Sequence, residues 1–204
     1  MTYASFIWTN IARNPRRTIL TIVSIGLSLF VLSTLMTVLT ELNREPEGED
    51  THLRLVVRRA TSLADRLPEA YAAKLQRVPG VRLVHALTWF GGIYIDEGNF
   101  FANFACDPDT LFAMFPENRI PPEQLKAFQA ERIAAVAGRK LVERFKWRLG
   151  DRITLQGTIY PVDLEFVLRG IYTGTDETAF FFHRAYLEEA LGRPGKVGTF
   201  WLKA

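Results

Sequence analysis

This sequence has few of the residues with which enzymes and metalloproteins perform chemistry. Its 204 residues include one cysteine and three histidines. A single cysteine excludes an intramolecular disulfide and a zinc site built from several thiolates. The histidines, His52, His85 and His183, are far apart, and none stands in the H-E-x-x-H pattern of zinc proteases. We therefore expect no catalytic, cofactor-binding or metal-binding residues, and we expect that the chain is not an enzyme.

Motifs for nucleotide hydrolysis and for nucleophilic catalysis are missing as well. Gly195-Lys196 comes closest to a phosphate-binding loop, but Val197 follows where Ser or Thr is required, and Ala190 stands where the first Gly belongs. The sequence also has no G-x-S-x-G nucleophile elbow. This chain is therefore not expected to hydrolyse ATP.

Massed charge of one sign is absent from most of the chain. The 25 basic and 22 acidic residues give a net charge of +3. In residues 51–204 the arginines are interspersed with acidic residues, which argues against nucleic acid as a partner. The one acidic run, within residues 41–50, favours a solvated spacer over a cation-binding site.

Cys106 and His85 are interpreted as buried core residues. Cys106 ends an apolar stretch, which favours a small core side chain over a reactive thiol. His85 alternates with Leu83 and Leu87 as on one face of a strand, which favours a core or interface histidine over a catalytic one.

What the sequence does contain is a long uncharged segment, residues 19–39, rich in Leu, Ile, Val and Phe. At 1.5 Å per residue, a helix of this length measures about 32 Å and spans the roughly 30 Å hydrocarbon core of a bilayer. Arg13, Arg16 and Arg17 precede the segment and the acidic run follows it. The positive-inside rule then places the N-terminus in the cytoplasm and the later residues outside. We predict a protein of the inner (plasma) membrane with one anchor in contact with lipid.

Two other interpretations of this segment are weaker. A cleavable signal peptide has an apolar region of only 7–15 residues and ends in a small-residue cleavage pattern, whereas residues 40–45 read T-E-L-N-R-E. A buried helix of a soluble protein is rarely so uniformly apolar.

The residues that precede the segment predict a second, shorter helix. Residues 3–14 place Tyr3, Ile7 and Ile11 on one face, which predicts an amphipathic helix on the cytoplasmic surface that ends at Asn14, before Pro15. The alternative is a disordered tail.

Small polar residues line one side of the predicted span. Thr21, Ser24 and Ser28 follow the spacing i, i+3, i+7 and form a narrow face. Small faces allow a second membrane helix to approach closely, so these residues are candidates for membrane helix packing.

The rest of the chain alternates between strand and helix patterns, without a fixed repeat. The predicted fold class is α+β: N-terminal amphipathic and transmembrane helices, then a mixed α/β extracytoplasmic domain in which a division into two lobes stays open. The predicted boundaries are 1–17 for the cytoplasmic helix and basic turn, 18–42 for the transmembrane helix and 43–204 for the domain. Strands are predicted at 53–57, 81–87, 93–95, 100–106, 133–137, 153–156, 162–168 and 199–202, and helices at 67–78, from 107, at 123–131, 138–145 and 184–191.

Three stretches together resemble a known family. Residues 8–26, with R-T-I-L-T at 17–21, resemble the N-terminal region of MacB-like (FtsX-like) ABC transporter permeases. Residues 137–155, with A-G-R-K-L and L-G-D-R-I-T-L, resemble the G-x-x-L-A and G-D-x-I-x-L segment of that family's periplasmic core domain. Residues 168–172, L-R-G-I-Y, stand where the family has V-x-G-I-x.

The resemblance implies a permease subunit with four spans and a large periplasmic domain between the first two. Such subunits pair with an ABC-type ATPase and a second permease subunit, work with a periplasmic partner protein in some members, and transmit ATP-driven motion for export or release of a substrate. Arg13, Arg16 and Arg17 would then set topology and couple the span to the ATPase. The chain ends at Ala204, in or near the end of the domain, so we expect an N-terminal piece of a longer permease or a truncated version.

Three other functions compete with this interpretation. A single-span sensor or receptor is the strongest rival, and further hydrophobic spans downstream would exclude it. A membrane-tethered assembly protein of the pilin type would need a short processed leader and a glutamate at the start of the apolar helix, and neither is seen. A membrane-anchored hydrolase lacks a recognisable nucleophile and base.

Overall fold

The computed structural model describes residues 13–42, 54–61 and 65–204. The chain divides into two compact units, residues 1–47 and 48–204, and each is described by itself. Residues 3–12 of the predicted amphipathic helix, most of the acidic run and His52 lie outside the described residues.

The first unit contains one long helix, α1 (Pro15–Leu42). Asn14 is not helical, as predicted from Pro15, and its carbonyl oxygen accepts the N–H of Thr18 at 3.1 Å. No glycine or proline interrupts the last four turns, and α1 continues to Leu42, three residues beyond the uncharged segment. Nearly all of its described side chains are exposed, apolar ones included. In water such an exposed apolar surface is unfavourable.

The second unit is built on an eight-stranded mixed sheet. In sheet order, the strands are β1, β10, β3, β4, β8, β5, β7 and β6, and β2 and β9 form a small separate ladder. The pairings β4–β8 and β5–β7 are parallel, and the other pairings of the large sheet are antiparallel. The strand bounds are β1 Arg54–Val57, β2 Leu67–Pro68, β3 Leu83–Trp89, β4 Ala102–Cys106, β5 Ala134–Gly138, β6 Arg152–Leu155, β7 Leu164–Tyr172, β8 Ala179–His183, β9 Lys196–Val197 and β10 Thr199–Lys203.

Five short helices cover the two faces of this sheet. Their bounds are α2 Tyr71–Leu75, α3 Leu111–Met114, α4 Pro122–Ala130, α5 Arg139–Phe145 and α6 Arg184–Ala190. One core contains residues of α5 and α6 together with Phe180 and Phe182 of β8. The core on the opposite face contains residues of α3 and α4 together with Phe181. Because successive side chains of a strand point to opposite faces, β8 contributes to both cores and all five of its residues are buried.

The mixed α/β class predicted from the sequence is confirmed, and the sheet is continuous rather than split into two lobes. Strand alternation located β1, β3, β4, β6, β7 and β10 to within a few residues. The predicted strand at 93–95 is reduced to one bridge between Ile93 and Gln156.

Two helix starts differ from the prediction. The helix predicted from Leu67 begins only at Tyr71, because Leu67 and Pro68 form β2 and pair with β9. The helix predicted from residue 107, where Asp107 precedes Pro108 as an N-cap residue would, begins only at Leu111, after Thr110. The Asp107 carboxylate instead accepts a hydrogen bond from Nε of Arg184 at 2.9 Å, so tertiary pairing outweighs local capping.

The sheet topology brings the start of β1 close to the end of β10. Arg54, the first residue of β1, is paired with Lys203, the last residue of β10. Lys203 is paired in turn with Leu83, the first residue of β3. These three strand ends therefore lie side by side at one end of the sheet.

Candidate functional site

The three arginines singled out in the sequence lie at the N-terminal end of α1. Arg16 and Arg17 are in its first turn, Arg13 precedes Pro15, and all three side chains are exposed. The N-terminal end of a helix carries partial positive charge, so cations there gain nothing from the helix dipole. The helix dipole therefore does not account for this placement.

Six of the small polar side chains of α1 bond to their own helix, and among the candidate packing residues these include Thr21 and Ser28. The hydroxyl of Thr21 donates to the carbonyl oxygen of Arg17 and that of Ser28 to the carbonyl oxygen of Ser24, each at 2.9 Å. The same back-bonding occurs at Ser33, Thr34, Thr37 and Thr40. These bonds satisfy the hydroxyl donors within the helix, which an apolar surrounding requires. By length and composition, α1 can cross a membrane from Pro15 to Glu41.

The residues considered for chemistry in the second unit are buried. Cys106 has no exposed surface, and burial raises the pKa of its thiol well above its usual value. No cluster of three His, Cys, Asp or Glu side chains that could hold a metal ion occurs in residues 13–42, 54–61 and 65–204.

His85 and His183 are core histidines on neighbouring parts of one face. Nδ1 of His85 lies 2.7 Å from the hydroxyl oxygen of Thr110, and burial lowers the pKa of His85 from 6.5 to about 4. Nε2 of His183 lies 2.6 Å from the carbonyl oxygen of Phe128, and burial lowers its pKa as well. Both rings are anchored by these contacts, in agreement with the core role inferred for His85.

A second group of residues, which sequence patterns did not reveal, surrounds a cavity of about 300 Å³ in the second unit. Its residues come from four neighbouring strands, the C-terminal end of β7 and two loops. We call it the aromatic cavity. It is lined by Leu87, Phe104, Phe115, Glu117, Asn118, Tyr172, Thr175, Asp176, Ala179, Phe181 and Trp201.

Ring contacts shape the wall of the aromatic cavity. Phe104 and Phe181 are stacked with their centroids 5.8 Å apart, and Phe115 meets Trp201 edge to face at 5.2 Å. The hydroxyl of Tyr172 donates to the carbonyl oxygen of Ala179 at 3.2 Å, and burial raises the pKa of Tyr172. The tyrosine is therefore neutral at ordinary pH, and its hydroxyl is already committed.

Two carboxylates belong to the lining. Oε1 of Glu117 pairs with Nη1 of Arg54 at 2.7 Å, and the Arg54 side chain is only 6% exposed. The guanidinium of Arg54 also lies over the ring of Phe115, 5.3 Å from its centroid. The second carboxylate, Asp176, is exposed, and its Oδ1 accepts hydrogen bonds from the N–H and hydroxyl of Thr178.

No protein-family model matches the sequence, and no curated protein matches it at a significant level. Similarity to solved structures is found at the level of the fold. The extracellular domain of the noncanonic ABC-type transporter YknZ from Gram-positive bacteria superposes with a TM-score of 0.53 at 12% identity, covering 74% of this chain and 81% of that one. The periplasmic region of MacB from Actinobacillus actinomycetemcomitans gives a TM-score of 0.51 at 10% identity, covering 67% of this chain and 64% of that one.

These similarities agree with the resemblance drawn from residues 137–155 and 168–172, which form β5, α5, β6 and the end of β7. The second unit therefore has the fold of the extracytoplasmic domains of MacB-like ABC transporter permeases, and an apolar helix long enough to cross a membrane precedes it in the sequence.

Proposed function

We propose that this chain is the N-terminal part of a permease subunit of an ABC transporter, and that it transmits movement from a partner ATPase to an extracytoplasmic domain. The observation that carries the proposal is the order of its two units: an apolar helix of membrane-spanning length, followed by a domain with the MacB-like fold. In this proposal residues 1–17 are cytoplasmic, 18–42 cross the inner membrane and 43–204 form the extracytoplasmic domain.

The orientation rests on charge. The exposed arginines at positions 13, 16 and 17 precede α1, and an acidic run follows it in the sequence. Lysine and arginine are retained on the cytoplasmic side of membrane helices, so the N-terminus is cytoplasmic and the second unit is outside.

The topology of the domain supports its insertion between membrane segments. Arg54 and Lys203 are paired neighbours at one end of the sheet, so a chain that enters through β1 and leaves through β10 does both on the same side. A domain held at one end in this way is able to move as a rigid body when its connections move together.

The proposed partners follow from this role. An ABC-type ATPase supplies the energy, since the sequence carries no complete phosphate-binding loop. A second permease subunit packs against α1 through Thr21, Ser24 and Ser28, and a periplasmic protein meets the extracytoplasmic domain. In this proposal the chain itself is not an enzyme and uses no cofactor.

The coupling is tested by changing Arg16 and Arg17 to Gln in the complete permease, reconstituted with its ATPase in proteoliposomes. We expect the stimulation of ATP hydrolysis by the permease to fall several-fold. The matched control changes Arg58 and Arg59, an adjacent arginine pair of the domain that is also exposed, and should leave the stimulation unchanged.

Topology is measured on the same variants by reporter fusions on both sides of α1. Preserved topology with unchanged stimulation would remove the arginine turn from the mechanism. Reporters showing both ends of α1 in one compartment would overturn the permease proposal as a whole, and a cytoplasmic signalling module in the complete protein would favour the sensor alternative.

A further inference from the structure

The Glu117–Arg54 pair leaves one carboxylate oxygen of the aromatic cavity without a partner. Oε1 of Glu117 is paired with Arg54, whereas Oε2 is buried and has no hydrogen-bond partner within the described part of the chain. A carboxylate oxygen removed from water without a compensating bond costs free energy. A cationic donor that reached this oxygen would recover that cost.

The charges around the aromatic cavity favour a cation over an anion. Glu117 and Asp176 are its only charged lining residues among those the structure describes, and both are acidic. Arg54 pairs with Glu117 and offsets much of its charge, but it is not part of the lining. The charge that remains on the lining is negative, so it repels an anionic ligand and attracts a cation.

The other lining residues are mostly aromatic, which favours a ligand whose apolar part can pack against aromatic rings. Phe104, Phe115, Phe181 and Trp201 present ring surface, and Arg54 already shows that a guanidinium is held against the ring of Phe115. Aromatic side chains bind organic cations through the negative face of the ring. The volume of about 300 Å³ is at the lower end of the range for small-molecule sites.

We propose that the aromatic cavity binds a small soluble organic cation, an ammonium group attached to an apolar or aromatic body, with the charge held between Glu117 and Asp176 and the body against the rings of Phe104 and Trp201. This binding does not require that the chain be part of a transporter. It assigns the extracytoplasmic domain a ligand of its own.

The test uses the full chain in nanodiscs of phosphatidylglycerol, a lipid without a cationic headgroup, with empty discs as the blank. Three probes of similar size are titrated by calorimetry at neutral pH: benzylammonium, whose N–H groups donate hydrogen bonds, benzyl alcohol and benzenesulfonate. We expect the cation to bind at least tenfold more tightly than the neutral probe, and we expect no binding of the anion. Equal binding of the three probes overturns the proposal. No detectable binding of the cation at the highest concentration that calorimetry allows overturns it as well, and this is the result expected if a segment of the chain itself fills the cavity.

Two variants of the ion pair separate ligand binding from structural damage. Glu117→Gln removes the carboxylate and should weaken cation binding about tenfold. Arg54→Gln breaks the same pair but releases Glu117 from its competitor, so it should strengthen cation binding. A structural disturbance would move both affinities in the same direction, and that result would contradict the proposal.

A third variant keeps the test decisive if the ion pair is needed for folding. Asp176→Asn retains an oxygen that can accept the two bonds from Thr178, and because Asp176 is exposed we expect only a two- to fivefold loss of cation affinity. Glu97→Gln, which removes an exposed carboxylate outside the cavity, is the matched control and should change nothing. Equal cation affinity in the Asp176 and Glu97 variants would overturn the proposal.

Discussion

The buried imidazole of His85 makes the stability of the second unit depend on pH. Its side chain has no exposed surface, and burial is the largest cause of the fall in its pKa from 6.5 to about 4. The Asp107 carboxylate opposes this shift and the Arg184 guanidinium adds to it. The proton affinity of the ring is therefore lower in the folded state than in the unfolded one.

The sign of the effect follows from proton binding. Above pH 6.5 the ring is neutral in both states, and His85 contributes no pH dependence. Between pH 6.5 and about 4 the unfolded chain binds a proton that the folded chain does not, so the free energy of unfolding falls as the pH falls. With 1.36 kcal/mol per pKa unit, His85 should cost about 2 kcal/mol at pH 5 and about 3 kcal/mol below pH 4.

The assay is urea unfolding of the chain in mild detergent at pH 8, 7, 6 and 5, followed by near-ultraviolet circular dichroism of the domain. His85→Gln is the comparison, because glutamine does not titrate and its amide is able to retain a hydrogen bond to Thr110. Carboxylates and His183 titrate in both proteins, so the difference between the two pH profiles isolates His85. The native chain should lose about 2 kcal/mol more than the variant between pH 8 and pH 5. Parallel profiles, within about 0.5 kcal/mol, would refute the assignment of a buried neutral imidazole.

Two further predictions concern packing, and thermal unfolding measures both. Gly138→Ala places a methyl group against the backbone carbonyl oxygen of Glu177, so the free energy of unfolding should fall by about 1–3 kcal/mol. Gly98→Ala is the control: the nearest atom is a flexible side-chain oxygen at 3.1 Å, so the free energy of unfolding should change little. Phe182→Ala empties a fully buried position of β8 and should cost about 3–5 kcal/mol, whereas Phe100→Ala, at a residue 57% exposed, should cost less than about 1 kcal/mol. Equal melting temperatures within either pair would contradict the packing described.

Strands with one face buried are the part of this fold that the sequence predicts well. In β6, the buried Ile153 and Leu155 alternate with the exposed Arg152 and Thr154. The period of two is visible in the sequence because only one side of such a strand must be apolar. The same pattern placed β3 and β10, although it did not reveal their order in the sheet.

The central strand β8 is the element that the pattern missed. Its sequence, A-F-F-F-H, has no alternation because helices cover both faces of the sheet at this point and every residue is buried. A run of five apolar and aromatic residues gives no period, so it indicates burial without indicating a strand. Parallel pairing of β8 with β4 depends on contacts between residues about 75 positions apart, which a local pattern does not contain.

The aromatic cavity was not predictable for a related reason. Four lining residues look like ordinary core residues of their own strands: Leu87, Phe104, Phe181 and Trp201. They line one cavity only because β10, β3, β4 and β8 are neighbours in the sheet. Glu117 looks like a surface residue of a loop until its pairing with Arg54 is known. None of these residues indicates a site by its type or sequence position alone, and the site exists only because the fold brings them together.

Arg54 connects this cavity with the proposed movement of the domain. It is the first residue of β1, where the chain enters the sheet, and its guanidinium holds Glu117 on the cavity wall. In the proposal, a cation at Glu117 competes with Arg54 for its charge, so cation binding weakens a contact at the first residue of β1. A displacement that pulls Arg54 away from Glu117 should therefore raise the affinity for the cation. By linkage, cation binding shifts the equilibrium between the two positions of β1 toward the displaced one by the same factor. The two proposals together therefore predict that occupancy of the aromatic cavity changes whenever β1 is displaced, and that the position of β1 changes when the cavity is filled.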